Sequence, residues 1–305
     1  MALSKKAVFF TISALIFAGL MITAIIVVNS HKKSEKVGVE QERVLMLDEM
    51  LRNFENDLSK SVYISGFRAL TAMVKKVVET GDYCEIDDFK ELVIYGTLDG
   101  EANNIMTNMT LSDWVSRAEN ISRAFHVNLS VEIINVTLEQ KTPWEVEVNA
   151  YCRILLADST ASFERTEKIT SLISVIGFED PLYVVGTNGA VTNIIRKTPF
   201  SSFVSGNDTS NLMLHVQGGY YINSSGPSFL GRLTGNLSSS PNGIESLVYL
   251  PELAAAGISV KEKSVVDYIY FSGLNPVSYK IINMPDWFMI DEGHIAIYQV
   301  SDLIR

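Results

Sequence analysis

Two cysteines, four histidines and eight prolines in 305 residues leave little material for a metal centre or a disulfide-stapled scaffold. Neither the histidines nor the cysteines stand at metal-ligand spacing. There is no G-x-S-x-G elbow, no P-loop, no G-x-G-x-x-G after a strand and no H-E-x-x-H, so the common hydrolase, nucleotide-binding and metalloprotease chemistries lack their usual signatures. No catalytic residue, cofactor or metal is expected. Positive charge is scarce too. The net charge is −10, and an acidic body repels nucleic acid and anionic lipid surfaces, which excludes nucleic acid as a partner.

Only one long hydrophobic run is present. Residues 7–28, AVFFTISALIFAGLMITAIIVV, are 22 residues without a charge, long enough to cross a bilayer as a helix. The run is longer than the core of a secretory signal and ends in NSHKK, without small residues at a cleavage position. It therefore reads as a retained single-pass anchor with the lipid bilayer as its partner. Lys5 and Lys6 precede it, and Lys32, Lys33 and Lys36 follow it. Flanking charge thus leans slightly against a cytoplasmic N-terminus, but long domains translocate largely regardless of it.

Asparagine chemistry decides the orientation. Seven N-x-[ST] triplets begin at Asn108, Asn120, Asn128, Asn135, Asn207, Asn223 and Asn236. With 19 Asn and 48 Ser plus Thr in 305 residues, chance gives roughly three such acceptor triplets. The excess points to an N-glycosylated ectodomain outside the cell membrane and a cytoplasmic N-terminus. Charge agrees: residues 1–36 carry +4 and the remainder −14. In that oxidising compartment Cys84 and Cys152 either form a disulfide or stay as two buried thiols.

The chain divides into an anchor with basic flanks (1–36), an amphipathic stalk helix (37–80), an α+β domain with an antiparallel meander and a hairpin (81–199), and a second, smaller α/β-type domain (200–305). In the stalk, Val44, Leu47, Leu51, Phe54 and Leu58 step by three and four, and Phe67, Leu70, Val74 and Val77 extend the stripe to Gly81. Such a helix either pairs with other envelope proteins or another copy of itself, or packs on its own domain. Helices are expected near Asp87–Ile94 and Ser112–Phe125, the latter burying Trp114, Ala118, Ile121 and Phe125. Three strands follow. Within Val127–Glu139 the apolar phase slips by one residue at Ile133–Ile134, the signature of a β-bulge. Trp144–Leu156 alternates with Cys152 inward, and Phe163–Ile176 completes the meander. Leu182–Ile195 reads as a hairpin turning at Asn188-Gly189. Lys197–Asn211 reads as a linker or long loop. Met213–Gln217, Pro227–Leu233 and part of Gly243–Ala256 read as helices, and Val265–Phe271, Ser278–Ile282 and His294–Val300 as strands. Helices followed by a meander predict a helical layer on one face of an antiparallel sheet.

At GFEDPLYVVGTNG (Gly177–Gly189) the chain resembles a family of membrane-anchored archaeal surface proteins. KKAVFFT (Lys5–Thr11), MTLSDW (Met109–Trp114), GIESLVY (Gly243–Tyr249) and VVDYIYF (Val265–Phe271) support the resemblance. It implies an exported envelope protein and carries over no functional residue. The anchor–stalk–head order also resembles type IV pilins, although no Gly stands at a processing site before the run and no Glu lies near its start.

The one enzymatic constellation that can be assembled is His294 with Asp291 or Asp267 and a serine of the SSGPS loop, Ser225 or Ser228. Asp87, Asp88 and Glu85 suit a first-turn helix cap better than calcium. Tyr220-Tyr221 and Trp287-Phe288 suit core packing or an aromatic ligand patch. The expected role is non-enzymatic, structural or in assembly, through protein–protein contacts. The alternatives are a receptor-like ligand or glycan binding module and, third, a surface hydrolase.

Overall fold

The computed structural model describes residues 14, 16–24 and 36–305. Among the described residues no helix is long and apolar enough to cross a membrane; both ends of the 7–28 run, and Lys5, Lys6, His31, Lys32 and Lys33, lie outside them. Residues 16–24 are helical and border a cleft of about 370 Å³ in which Leu20 and Met21 face Met46 and Met50.

Helix α1 (Lys36–Thr80) is followed by α2 (Ile86–Tyr95), a small ribbon β1 (Thr97–Leu98) and β2 (Glu101–Ala102), and α3 (Leu111–Ala124). The meander is β3 (Asn128–Thr142), β4 (Glu145–Ala157) and β5 (Ser162–Ser174), in that spatial order and antiparallel throughout. The α+β class with a long helix on an antiparallel sheet is therefore present.

Local chemistry explains the ends. Thr110 accepts from the Asp113 amide at 2.9 Å while Asp113 accepts from the Thr110 amide at 3.1 Å, a capping box that starts α3. Glu85 and Asp88 make the same reciprocal arrangement on α2. Gly96 ends α2 at φ +72°, where a side chain would be strained. In β3 the pairing with β4 skips between Ile133 and Asn135, so the bulge falls where the apolar phase slips. The β4 set from Val146 to Leu156 is buried as the alternation requires.

α1 lies along the sheet and is no free-standing stalk. Leu47, Leu51, Phe54, Leu58, Val62, Leu70, Met73 and Val77 are buried. Val44 and Phe67, expected in the stripe, are 37% and 42% exposed. Beyond Leu58 the small residues Ser61, Ser65, Gly66 and Ala69 are buried, and Gly66 lets helix and sheet approach. A Cβ on Gly66 would stand 3.0 Å from Ile173 Cδ1 and from Val148 Cγ2. On α3 the buried set is Leu111, Val115, Ala118 and Ser122, rotated from the expected stripe because Trp114 packs sideways on Phe54, with ring centroids 5.2 Å apart.

Cys84 and Cys152 are free, buried thiols in one apolar cluster, and no bridge joins them. The Cys84 thiol donates to the Met73 carbonyl. Burial pushes Cys84 up to about 12 and Cys152 up to about 11, so both stay protonated and unreactive.

The C-terminal half departs most from expectation. Leu182–Ile195 is no hairpin. Asp180 caps and Pro181 opens a short helix, α4 (Pro181–Gly186), and Asn188 and Gly189, both at positive φ, turn the chain back so that Glu179 bridges Ile194. Of the two forms expected for Lys197–Asn211, residues up to Thr209 are the long loop and no linker, because Phe203 is buried against His215 and Tyr298. α5 (Ser210–Gln217), β6 (Tyr221–Ser224), α6 (Phe229–Thr234), β7 (Gly243–Ser246), α7 (Leu250–Ala255) and α8 (Asp267–Tyr270) follow, and then β8 (Ser278–Lys280) paired with β9 (Met289–Asp291). Val265–Phe271 is thus a helical turn and not a strand, and His294–Val300 is built of turns. The apolar core forms two clusters that ignore residue 199: Tyr221, Phe229, Leu233 and Ile244 join the first, and Tyr183 and Val191 the second.

Because Gly66 sets the helix–sheet distance, Gly66→Leu is expected to destabilise the protein by about 1–3 kcal/mol through overpacking. Urea unfolding measures this, and an unchanged midpoint would contradict it.

Candidate functional site

Between the two apolar clusters lies a chain of buried charged and polar side chains. At its centre is Arg232 of α6, fully buried. Its Nη1 donates to Asp180 Oδ2 at 2.6 Å and to Asp267 Oδ2 at 2.9 Å. Its Nη2 donates to Asp267 Oδ1 at 3.1 Å and to the Ile244 carbonyl, and its Nε to the Pro227 carbonyl at 3.4 Å. All five donors of a guanidinium have acceptors. Both aspartates are fully buried. Burial works against the Arg232 charge, but the two carboxylates outweigh it and hold the guanidinium protonated. Burial likewise raises the Asp180 carboxyl, against the pull of Arg232.

Each aspartate also fixes backbone. Asp180 Oδ1 accepts the Leu182 amide at 2.9 Å, capping α4, and Oδ2 accepts the Tyr221 hydroxyl at 2.8 Å. Asp267 Oδ2 accepts the Ser246 amide and hydroxyl at 2.9 and 2.7 Å, and Ser246 meets the Tyr183 hydroxyl at 2.9 Å. One arginine thereby ties together α4, β6, β7 and α8.

A second group adjoins it. His294 Nδ1 lies 2.7 Å from Asp291 Oδ1, and Ser264 donates to the other Asp291 oxygen at 2.7 Å. His294 Nε2 lies 3.0 Å from the Tyr268 hydroxyl and 3.3 Å from Glu245 Oε2. Glu245 is fully buried, and neither its oxygens nor the Tyr298 hydroxyl have a well-aligned hydrogen bond. Burial alone would lower the His294 pKa, but Asp291 and Glu245 outweigh it and lift the group to about 10.

The His294–Asp291 pair foreseen from the sequence is therefore formed, without the rest of the constellation. Asp267 belongs to Arg232. Ser228 caps α6 through the Gly231 amide at 3.2 Å, and Ser225 is exposed. With both ring nitrogens of a 6%-exposed imidazolium engaged, no free nitrogen remains to move a proton on a substrate. The arrangement stabilises charge inside the fold; it presents no nucleophile–base pair.

Both aromatic pairs are packed. Tyr221 and Phe288 are fully buried. Tyr220 lies beneath Arg196 and edge-on to Phe200, and Trp287 lies edge-on to Tyr249. His215 is buried with Nδ1 3.0 Å from Thr198 Oγ1, and burial pushes it down to about 4. His126 borders an open cleft of about 400 Å³ with Arg123, Asn128 and Asp158, where Asp158 is already paired to Arg43 at 2.6 Å. Glu85 and Asp88 cap α2, and Asp88 also binds Lys76 at 3.1 Å. Six of the seven sequon asparagines are exposed, and Asn135 is half-buried.

No family model, curated protein or solved structure matches this chain. The sequence reading missed Arg232. Its only signal was an arginine inside an apolar stretch, FLGRLTG, preceded by a serine cap.

The two histidines set opposite pH limbs. Unfolded imidazole titrates near 6.5. Folded His294 holds its proton to about 10, so its stabilisation is complete below pH ~6.5 and drains away as pH rises. Folded His215 stays neutral down to about 4, so stability also falls as pH drops below ~6.5. Melting curves across pH are expected to show a maximum near neutrality, with up to ~1.4 kcal/mol lost per unit on each limb. His294→Gln should flatten only the alkaline limb; an unchanged alkaline slope in that variant would contradict the assignment.

Proposed function

We propose that the protein is a single-pass, membrane-anchored envelope glycoprotein whose body lies outside the cell and acts through protein contacts, without catalysis. The observation that carries this reading is the pairing of the 7–28 apolar run with seven acceptor triplets, six of whose asparagines reach solvent.

Exposed chemistry supports contact rather than turnover. No triplet lies within residues 36–107, so α1 and α2 are free of acceptor sites. On that side Leu45, Tyr63 and Phe67 are 64%, 43% and 42% exposed, with the two rings stacked 6.3 Å apart. Exposed aromatic residues on a sugar-free helix suit a partner helix or another copy. The buried His294 group lacks a free base, which weighs against a hydrolase. The burial of Tyr221 and Phe288 weighs against an aromatic ligand pocket.

Protease treatment of intact cells, followed by an alkaline carbonate wash of the membranes, tests the reading. The body is expected to be digested from outside, with an N-terminal fragment left in the washed membrane and glycopeptides among the released pieces. Recovery of the whole chain, protease-protected and without sugar, in the soluble fraction would overturn it.

A further inference from the structure

The seven triplets look alike in sequence, yet folding treats their third residue in two ways. The acceptor motif requires a Ser or Thr hydroxyl two residues after the asparagine, so a transferring enzyme must reach that hydroxyl as well as the amide. At Asn108 the hydroxyl belongs to Thr110, 6% exposed and already accepting the Asp113 amide as the cap of α3. At Asn120 it belongs to Ser122, 1% exposed and donating to the Glu119 carbonyl at 2.9 Å inside the same helix. At Asn207 it belongs to Thr209, 6% exposed and donating to the Asn283 carbonyl at 3.1 Å. At Asn135, beside the bulge, the Thr137 hydroxyl oxygen is shut off from solvent and has no hydrogen-bond partner.

The other three differ. Ser130, Ser225 and Ser238, which follow Asn128, Asn223 and Asn236, are all exposed, as are their asparagines. At Asn236 the side-chain carbonyl accepts the Ser238 amide at 3.1 Å, so the asparagine is folded over onto its own triplet in an Asx turn.

We propose that the sites form two classes in time: Asn128, Asn223 and Asn236 accept sugar on the folded protein, whereas Asn108, Asn120, Asn135 and Asn207 accept it only before folding closes their hydroxyls. This rests on the glycoprotein reading above. The sugar donor is an oligosaccharide on a lipid-linked phosphate. A bond forms between Asn Nδ2 and the anomeric carbon, the sugar–phosphate C–O bond breaks, the phosphate leaves on the lipid, and the amide gives up one proton. No oxidant or reductant is needed. The closed sites reopen only by local unfolding of α3, of the β3–β4 pairing at the bulge, or of the Thr209–Asn283 contact, so their acceptance on the native chain is suppressed by the cost of that opening.

The test uses the full chain, made in a host that lacks the transferase and kept folded in mild detergent. It is incubated with membranes that carry transferase and lipid-linked oligosaccharide. Seven synthetic peptides, one per triplet, serve as unfolded acceptors, and mass spectrometry reads the occupancy at each asparagine. All seven peptides are expected to be modified. On the folded chain Asn128, Asn223 and Asn236 are expected to be modified roughly tenfold or more above the other four. Equal occupancy of Asn108, Asn120, Asn135 or Asn207 on the folded chain would overturn the two-class proposal and leave the glycoprotein reading standing. Failure of all seven peptides and of the chain would overturn the glycoprotein reading itself.

Discussion

The C-terminal half of this protein depends on one buried cation. Arg232 sits at zero exposure between Asp180 and Asp267, and every one of its donors is used. Taking three charges out of water is costly, and their attraction offsets that cost only because the geometry and the added hydrogen bonds are complete. The aspartates then organise backbone: Asp180 caps α4, and Asp267 holds β7 through Ser246. Because α6 and β7 feed the first apolar cluster, α8 the second and α4 both, through Val185 and Tyr183, the same three side chains join both. Loss of one partner from such a group costs about 3–5 kcal/mol, since a charge is left buried and uncompensated.

His294 repeats the theme on a smaller scale. It lies between Asp291 and Glu245, and Tyr268, the residue after Asp267, reaches its other nitrogen. These groups could be mistaken for a catalytic relay. Their burial and the full engagement of the imidazole fit a structural role within the fold, beneath the surface. That surface is uneven. Acceptor triplets crowd residues 108–238, while α1 and α2 carry none and expose aromatic and aliphatic groups.

Much of the N-terminal half was legible because local signals and burial agree there. Thr110 and Asp113 announce α3, Gly81 stops α1, and the phase slip at Ile133–Ile134 marks the bulge before any pairing is known. The misreadings have physical causes. Phe67 fits the apolar spacing of the α1 stripe, but the sheet is met at Gly66, which has no side chain to signal the contact. Asn188-Gly189 imposes a turn but does not dictate strands around it, and Asp180-Pro181 was the stronger signal, a cap followed by a first-turn proline. VVDYIYF has the composition of a strand, yet Asp267 is drawn to Arg232 and starts a helical turn instead. Glu147 and Asn149 alternate outward on β4 but are covered by Lys141 and Thr170 across the sheet. Arg232 carries only the faint signal of an arginine in an apolar stretch, since one sequence does not separate a buried arginine from a surface one until its two aspartates are placed.

Through these contacts Arg232 makes the two apolar clusters one cooperative unit. Amide hydrogen exchange on the full chain and on Arg232→Met measures it directly. The substitution is expected to lower protection together in α4, β7, α8 and the β3–β5 sheet. Loss confined to the residues flanking position 232, with the sheet and the C-terminal cluster as protected as before, would contradict it.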